Sequence, residues 1–582
     1  MEYDNYGRVS HAKNIIDYLA LATSYDASIS TDYNYNSNGA LESESTALPA
    51  GSSVTTAYDY DEFLRVAGVS RTAGSFQHQT EYIYYSQNGY TSNLVNGYTS
   101  TINGNETSFS YAYDSKGNIT TIVDPNNDVT TYTYDDLGQL ISEVKGNTTI
   151  TYTYDNAGNI KSITTTTEQS GGGIPDPGFK PVIKAVSLPT VITTTQTLGY
   201  TNSQWGDLLT SYNGTAITYD EIGNPLSYYN GTSYTFTWEG RRLVGATKGS
   251  KTMSFAYNDD GIRTSKTVNG VETVYYVNGG QIVAEKTSTR TIVYIYDATG
   301  SPIGMMYRTT SYSEGVFDIF WYEKNLQGDI IAIYNNAGTK LATYTYSDAW
   351  GNHTVSYTNG GGSTGAQYNP FRYRGYYYDT DLGMYYLQSR YYDAKICRFI
   401  NADIYVSTGQ GLLGNNMFAY CGNNPVNNID PTGDSFLAFL LRTAAAIAIF
   451  TIATTIGEQC AYKNAEETYE KYKDTIKIEE GVVYNSSEVS FWDIWGLSAY
   501  VRYHTDSGAE GTSYGLAIEW AAHKFGDSFG MSGGADLDFG KTIVSDFESH
   551  NSIDNIWQPI VMNSVELITN PFFYIYDIVR AF

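Results

Sequence analysis

Three near-identical phrases decide the fold: YAYDSKGNI (residues 111–119), YTYDDLGQL (132–140) and YTYDNAGNI (152–160). The tyrosine before each aspartate falls at positions 113, 134 and 154, a period of 20 or 21 residues. A period of this length indicates one supersecondary unit repeated many times. The Tyr/Thr alternation predicts an incoming strand, Asp-x-x-Gly a turn closed by a glycine with positive φ, and the next Thr/Ile/Val alternation an outgoing strand. The predicted unit is therefore a β-hairpin.

Weaker copies of the phrase extend the array in both directions. Their aromatic residues stand 19 or 20 residues apart, at Tyr219, Trp238, Tyr257, Tyr276 and Tyr296. At the start of the chain, residues 3–9 already read as the turn and outgoing strand of a unit, so we expect the chain to begin within a longer array. The alternative, an ordinary antiparallel β protein with Asp-x-x-Gly turns, fits the even spacing poorly.

The composition agrees with aromatic strands joined by glycine turns. The 582 residues include 57 Tyr and 56 Gly, only 16% are charged, and the formal net charge is −27. This charge disfavours nucleic acid as a partner. The three cysteines lack zinc-ligand pairing, and we predict no metal and no cofactor. The polar, acidic first residues do not form a signal peptide.

Shifts in composition divide the chain into six segments. We predict YD-type repeats at 1–165, a Gly/Pro-rich insert at 166–196, repeats at 197–368, a denser block at 369–433, an apolar and then charged helical segment at 434–480, and a variable module at 481–582.

The denser block contains four distinctive stretches: NPFRYRGYYYD (369–379), LQSRYYD (387–393), FAYCGNNP (418–425) and DPTG (430–433). It resembles the core domain of the Rhs/YD-repeat family, and the copies before it resemble that family's YD repeats, so the resemblance covers residues 1–433. The family fold implies a mainly β chain. Its coiled array of hairpins forms a partial shell, the core domain plugs one end, and a small α+β C-terminal module follows.

The resemblance also implies an aspartyl autoprotease in the core. Asp430 matches the second aspartate motif of the family, Asp403 the first, and Arg390 the arginine upstream, with cleavage between Gly433 and Asp434. Two adjacent carboxylates cannot both stay ionised, so one holds a proton while the other activates water. An arginine beside them can hold one carboxylate ionised or polarise the scissile carbonyl. We expect residues 433–435 to pass the pair in extended form.

The residues themselves leave a second interpretation open, in which the two aspartates are turn residues of a plug without activity. Ile404 follows Asp403 where many relatives have proline. Ala394 and Cys397 likewise replace the proline and glycine of those relatives. Self-cleavage and a purely structural plug therefore remain as alternatives.

The tail, residues 434–582, carries 21 acidic and 9 basic side chains, which disfavours a phosphate-gripping nuclease. Its apolar stretch at 435–457 reads as a buried helix, a membrane-inserting segment or a resident anchor. Two overlapping Gly-x-Ser-x-Gly matches at 526–534 lack the surroundings of a nucleophile elbow. The histidines at 504, 523 and 550 follow no metal-binding spacing. The activity of this module is not specified by its sequence.

The leading functional hypothesis is a shell that carries a variable effector of the polymorphic-toxin type. Its expected partners are its own C-terminal module inside the shell, upstream repeats or delivery machinery, and an immunity protein. The expected location is secreted or at the cell surface, as part of a longer parent protein. The rival hypothesis is a surface adhesion protein whose array binds glycans or neighbouring proteins, and a third is an orphan cassette without function until it recombines.

Overall fold

The structure is a computed structural model that describes residues 2–4, 8–14, 29–87, 90–169, 190–278, 280–313, 315–405, 413–433 and 437–438. Two compact units are distinguished. The described residues of the first unit are 2–4, 8–12 and 32–44, and the second unit contains the other described residues. The predicted apolar segment 435–457 and the α+β module lie outside the described residues, apart from a two-residue strand at 437–438.

Strands dominate both units. The strands up to the insert and just beyond it are β1 (Glu2–Tyr3), β2 (Val9–Asn14), β3 (Ile29–Tyr35), β4 (Leu41–Ala47), β5 (Ser53–Tyr60), β6 (Val66–Ala73), β7 (Phe76–Gln87), β8 (Tyr90–Ile102), β9 (Asn105–Tyr113), β10 (Ile119–Val123), β11 (Val129–Tyr134), β12 (Leu140–Lys145), β13 (Thr148–Tyr154), β14 (Ile160–Gln169), β15 (Thr190–Gly199), β16 (Ser211–Tyr212) and β17 (Thr215–Ala216). The later strands are β18 (Thr218–Tyr219), β19 (Pro225–Tyr229), β20 (Ser233–Glu239), β21 (Arg242–Lys248), β22 (Lys251–Tyr257), β23 (Arg263–Val268), β24 (Val271–Asn278), β25 (Gln281–Lys286), β26 (Arg290–Tyr296), β27 (Pro302–Thr309), β28 (Asp318–Lys324), β29 (Ile330–Asn335), β30 (Lys340–Tyr346), β31 (His353–Tyr357), β32 (Tyr377–Asp379), β33 (Met384–Leu387), β34 (Arg390–Asp393), β35 (Arg398–Phe399), β36 (Asn428–Ile429) and β37 (Leu437–Ala438).

The helices of the described residues are single 3-10 turns at Pro49–Gly51, Gly361–Ser363, Gly365–Tyr368, Tyr373–Gly375, Leu413–Asn415 and Cys421–Asn423. None of them is long and apolar enough to cross a membrane. The mainly β fold class is confirmed, since the whole stretch from 111 to 160 consists of strands and turns.

The strands pair in chain order, as expected for an array of hairpins. From β5 to β17 each strand pairs antiparallel with the next. The same holds from β18 to β31. Residues 369–433 add a four-stranded sheet, β32 to β35, and strand β36, which pairs with β37. Each unit of the repeat therefore contributes a hairpin to a continuing ladder.

The Asp-x-x-Gly turn has the predicted geometry. The Oδ1 atom of Asp114 accepts hydrogen bonds from the backbone N–H groups of Lys116 (2.8 Å) and Asn118 (2.9 Å). Gly117 has φ +85° and donates its N–H to the Asp114 carbonyl, a conformation that costs an L-residue strain but suits glycine. The register shifts after the turn, which is the bulge that this loop type produces. The same aspartate or asparagine bonds recur at Asp61, Asp124, Asp155, Asp220, Asp297, Asn335 and Asp348.

The aromatic residue of the motif joins most of the hairpins to the hairpin before them. The Oη atom of Tyr134 donates to the carbonyl oxygen of Ile119 at 2.6 Å, and Ile119 is the first residue of the outgoing strand in the preceding hairpin. Trp238 replaces tyrosine in one copy, and its indole N–H makes the equivalent bond to Pro225 at 2.7 Å. The other pairs are Tyr84 with Val66, Tyr113 with Val95, Tyr154 with Leu140, Tyr257 with Leu243, Tyr296 with Ile282, and Tyr346 with Ile330. The repeated residue is therefore an inter-unit hydrogen-bond donor.

The core block docks on the turns of the three phrases. Three asparagines of the block each contact the residue that follows the turn glycine in one phrase. The Nδ2–oxygen pairs are Asn424 with Asn118 (3.2 Å), Asn423 with Gln139 (2.9 Å) and Asn416 with Asn159 (2.9 Å). A fourth asparagine, Asn427, accepts the N–H of Ile119 at 2.8 Å. The block is thereby held against the first run of repeats.

A buried ion pair holds the same block against the second run of repeats. The Arg263 guanidinium lies 2.8 Å from Asp379, and neither side chain is exposed to solvent. Lys266 is 3.0 Å from the other oxygen of Asp379. Aromatic rings surround the guanidinium, with the Tyr386 centroid 4.4 Å from Cζ. A fully buried charge requires such partners, so this contact fixes the position of the core block.

The interruption between the two runs of repeats is narrower than the predicted 166–196 insert. Strand β14 continues to Gln169 and β15 begins at Thr190. Its flanks are rich in threonine, and β-branched residues favour strands.

Candidate functional site

The candidate site forms within the core block, where Arg390 faces two aspartates that follow later strands of the block. Arg390 opens strand β34 directly after a tight turn in which Gln388 has φ +62°. Asp403 follows strand β35 by four residues, and Asp430 follows β36. The structure brings all three predicted site residues together, although the two aspartates are 27 positions apart in the sequence.

Asp403 is held by its own backbone and by Arg390. Its N–H donates to the carbonyl oxygen of Met417 at 2.9 Å, and its Oδ1 accepts the N–H of Tyr405 at 2.9 Å. The other oxygen, Oδ2, is 2.8 Å from Nη2 of Arg390. Because only 3% of Asp403 is exposed, its carboxyl group is almost fully removed from solvent.

Asp430 turns the chain back toward the arginine. Its N–H donates to the Oη of Tyr376 at 2.8 Å, and its Oδ1 accepts the N–H of Gly433 at 2.8 Å. Its Oδ2 lies 3.5 Å from the same Arg390 Nη2 that contacts Asp403. One guanidinium nitrogen therefore faces both carboxylates.

Arg390 also contacts the peptide that the family resemblance marks for cleavage. Its Nε donates to the carbonyl oxygen of Gly433, and its Nη1 donates to the carbonyl oxygen of Met417 at 3.0 Å. The guanidinium lies 3.6 Å above the ring of Phe399, a cation–π contact that fixes its plane. Arg390 is thus placed to draw electron density from the Gly433 carbonyl.

Two arginines, Arg390 and Arg241, act on the Asp403 carboxyl. Burial raises the pKa of the Asp403 carboxyl, and the Arg390 and Arg241 charges oppose that rise without cancelling it. The raised pKa favours the protonated form of Asp403, which can then serve as a proton donor.

Ser389 holds the chain just before the predicted cleavage position. Its N–H (3.1 Å) and its Oγ (2.7 Å) both donate to the carbonyl oxygen of Thr432. Gly433 has φ +81°, and a Cβ there would lie 2.7 Å from the carbonyl oxygen of Leu387. The expectation of an extended chain at this point is therefore wrong for Gly433, because the Asp430–Gly433 turn forces positive φ. Asp434 and Ser435 lie outside the described residues.

The departures from the family pattern have distinct structural consequences. Ile404 is 52% exposed, so its side chain does not enter the site. Cys397 is buried and has φ +59°, a conformation that glycine adopts without strain. Ala394 is buried, and its carbonyl oxygen accepts a hydrogen bond from Asn352 at 2.9 Å.

Sequence reasoning missed the supporting residues Ser389, Tyr376 and Met417. Ser389 and Tyr376 stand inside the quoted core stretches, but nothing in their residue type points to cleavage. Met417 contributes only its backbone carbonyl, which leaves no trace in the sequence. Within the described ranges, no three His, Cys, Asp or Glu side chains gather in a group that could hold a metal ion.

Comparison with known families matches the RHS Repeat family at residues 113–150, the region of the three phrases. The tRNA nuclease WapA of Bacillus subtilis (strain 168) is 30% identical over 442 residues, which are 64% of this chain and 17% of that protein. The double-stranded DNA deaminase toxin A of Burkholderia cenocepacia (strain H111) is 26% identical over 411 residues, covering 66% of this chain and 26% of that protein. This chain therefore spans about a quarter or less of the length of these relatives.

Among solved structures, the TcdB2-TccC3-TEV crystal structure resembles this chain with a TM-score of 0.48 and 19% sequence identity. The match covers 74% of this chain and 23% of that one.

Proposed function

Because this chain belongs to the Rhs/YD-repeat family, we propose that residues 1–433 carry and present a C-terminal effector of the polymorphic-toxin type. We further propose that the core block releases the effector by cutting between Gly433 and Asp434. The convergence of Asp403, Asp430 and the Gly433 carbonyl on Arg390 is the observation that carries this proposal.

The carrier role is supported by what differs between the relatives. One relative is named for tRNA cleavage and another for deamination of double-stranded DNA, yet both align with about two thirds of this chain. Such different chemistries belong to different catalytic modules, so the part held in common is assigned to carrying them. Residues 434–582 are assigned as the effector, with a boundary near residue 480 between the two segments predicted from the sequence.

The proposed cleavage follows aspartyl-protease chemistry. Arg390 polarises the carbonyl group of Gly433 through its Nε. We assign the shared proton to Asp403, whose pKa is raised by burial, and the role of general base to Asp430. Asp430 takes a proton from water, the hydroxide adds to the Gly433 carbonyl carbon, and Asp403 gives its proton to the departing nitrogen of Asp434. The products are a Gly433 carboxylate and a new N-terminus at Asp434.

Three side chains fix the backbone next to the proposed scissile bond. Ser389 donates a hydrogen bond to the carbonyl oxygen of Thr432, and Arg390 donates one to the carbonyl oxygen of Gly433. The carboxylate of Asp430 accepts the N–H of Gly433, which lies between these two carbonyl groups. Three successive backbone groups are thus fixed by side chains, which favours reaction at a single bond.

The proposed partners follow from the carrier role. They are the chain's own C-terminal module, upstream repeats or delivery machinery of a longer parent, and an immunity protein that neutralises the effector. The proposed location is outside the producing cell or at its surface.

The test is the mass of the purified chain over time at pH 5 and pH 7. The wild type is expected to yield a C-terminal fragment of about 16 kDa, the share of the 64.4 kDa chain that residues 434–582 represent. Asp403→Asn and Asp430→Asn are each expected to stay whole. The matched control is Asp220→Asn, because asparagine already replaces aspartate in the turns at Asn258 and Asn325. A wild-type chain that stays intact would leave the core as a structural plug and remove cleavage from the proposal.

A further inference from the structure

Within the part of the chain that the structure describes, strand β15 has an open edge. One edge of β15 pairs with β14 over residues 190–197, from Thr190 opposite Gln169 to Thr197 opposite Ser162. On the other side β16 reaches only Leu198 and Gly199. Among the described residues, no strand pairs with the outer edge of residues 190–196.

The direction of the backbone groups along this edge follows from the neighbouring bonds. The N–H of Thr197 donates to the side-chain oxygen of Asn213, and the Thr197 carbonyl accepts the N–H of Asn213, both at 2.8 Å. Backbone groups alternate sides along a strand, and β14 and β15 pair without a register shift here. The N–H and C=O groups of Val191, Thr193 and Thr195 therefore point to the open edge.

This edge lacks the features that normally prevent strand addition. Residues 190–196 read TVITTTQ, with no charge, no proline and no glycine. Six of the seven residues are β-branched, and none of the seven is buried. Val191 is 56% exposed and Ile192 is 47% exposed. Natural sheets usually protect an edge with lysine, proline, a bulge or a very short strand, so an unprotected edge of this length is suited to pairing with another strand.

We propose that this edge pairs antiparallel with the same edge of a second copy of the chain, about a two-fold axis at Thr193. Within the sheet, threonine already pairs with threonine across strands, with Oγ1–Oγ1 distances of 3.1 Å for Thr164–Thr195 and 3.2 Å for Thr166–Thr193. The proposed pairing places Thr193 opposite Thr193 of the partner, as in that pattern. It also places Val191 opposite Thr195 and Ile192 opposite Thr194, which are pairs of β-branched residues.

Charge restricts where two copies can meet. The chain has a net charge of −27, so two copies repel over most of their surface. The TVITTTQ edge is a neutral stretch along which they can approach. A single strand pair is smaller than the roughly 1,200 Å² of a stable standard interface, so we expect a weak dimer that forms with rising concentration.

Sedimentation velocity of the full chain over a concentration series tests this proposal. Thr193→Pro removes one outward N–H while leaving the inward bonds to β14 intact, and should weaken self-association about tenfold or more. Two controls should associate like the wild type. Thr151→Lys places a charge on β13, a strand paired on both sides, and Thr166→Val removes the Thr166–Thr193 bond without changing the edge.

An experiment with opposite charges tests whether the two-fold axis passes through Thr193. Thr193→Lys alone and Thr193→Glu alone should each stay monomeric, because like charges would face each other across the two-fold axis. An equal mixture of the two should associate. The proposal is overturned if the wild type is monomeric throughout the series, if Thr193→Pro associates like the wild type, or if the mixture stays monomeric.

Discussion

Tyr134 supports a stronger prediction than the other motif tyrosines, because its hydroxyl serves two partners. It donates to the carbonyl oxygen of Ile119 at 2.6 Å and accepts from Nδ2 of Asn427 at 3.0 Å. The matched residue Tyr154 makes one such bond, to Leu140 at 2.5 Å. Replacing either tyrosine with phenylalanine keeps the ring and removes only the hydroxyl.

The magnitude follows from counting bonds. A hydrogen bond contributes about 1 kcal/mol net, so Tyr154→Phe should cost about 1 kcal/mol and Tyr134→Phe about 2 kcal/mol. Native-state hydrogen exchange measures this effect locally, at the amides of the hairpin that the substitution affects. Because about 1.4 kcal/mol corresponds to a tenfold change, amides of β10 should exchange about 30-fold faster in Tyr134→Phe.

A double-mutant cycle measures how much the hydrogen bond from Asn427 to the Tyr134 hydroxyl contributes to stability. Tyr134→Phe combined with Asn427→Ala should cost about 1 kcal/mol less than the sum of the single variants, because both remove the same bond. Equal effects of Tyr134→Phe and Tyr154→Phe, or full additivity in the cycle, would refute the role of Tyr134 in joining the core block to the repeats.

Three other predictions concern buried charge and backbone strain. Burial raises the pKa of Glu143 to about 8 and that of Asp348 to about 6, so both carboxyls hold their protons more tightly in the folded chain than in the unfolded chain. Their protonation therefore stabilises the fold fully below about pH 4, where the unfolded carboxyls are protonated too. This contribution is lost as the pH rises through about 6 for Asp348 and about 8 for Glu143. The thermal midpoint of the wild type should fall between about pH 4 and pH 8, and that of Glu143→Gln should fall less over the same range. Asp379→Asn should destabilise the chain by about 3 kcal/mol in denaturant unfolding, because it leaves Arg263 buried without its carboxylate; an effect near zero would contradict the anchoring role of the pair. Gly433→Ala should slow the appearance of the C-terminal fragment on gels, because its Cβ would displace the chain from the Leu387 carbonyl; an unchanged rate would show that the turn at 430–433 does not position the peptide.

The repeating part of the fold could be predicted because the signal is local. Each Asp-x-x-Gly turn satisfies its own backbone within five residues, so the hairpins follow from short stretches such as Asp114–Asn118. The contacts between distant stretches could not be predicted from spacing. The docking of Asn424 on Asn118 joins residues 306 positions apart, and no periodicity links them.

The candidate site could likewise be predicted only in part. Residue type and family resemblance pointed to Asp403, Asp430 and Arg390, which carry charge and stand in distinctive stretches. The positive φ of Gly433 could also have been predicted, because residues 430–433 have the same Asp-x-x-Gly pattern as the hairpin turns, but the expectation of an extended chain at 433–435 overlooked it. Ser389 was missed because a serine in a turn is common and its importance depends on its contact with Thr432.

Cleavage in water enriched in oxygen-18, followed by mass spectrometry of the new C-terminus, tests the central claim most directly. If Asp430 and Asp403 add water across the Gly433–Asp434 bond, the N-terminal fragment should end at Gly433 and carry one oxygen-18 atom in its terminal carboxylate. The same label should be absent from Asp430→Asn, which should yield no fragment. A fragment that ends elsewhere, or a labelled Gly433 terminus that forms equally in Asp430→Asn, would contradict the assignment of these carboxylates.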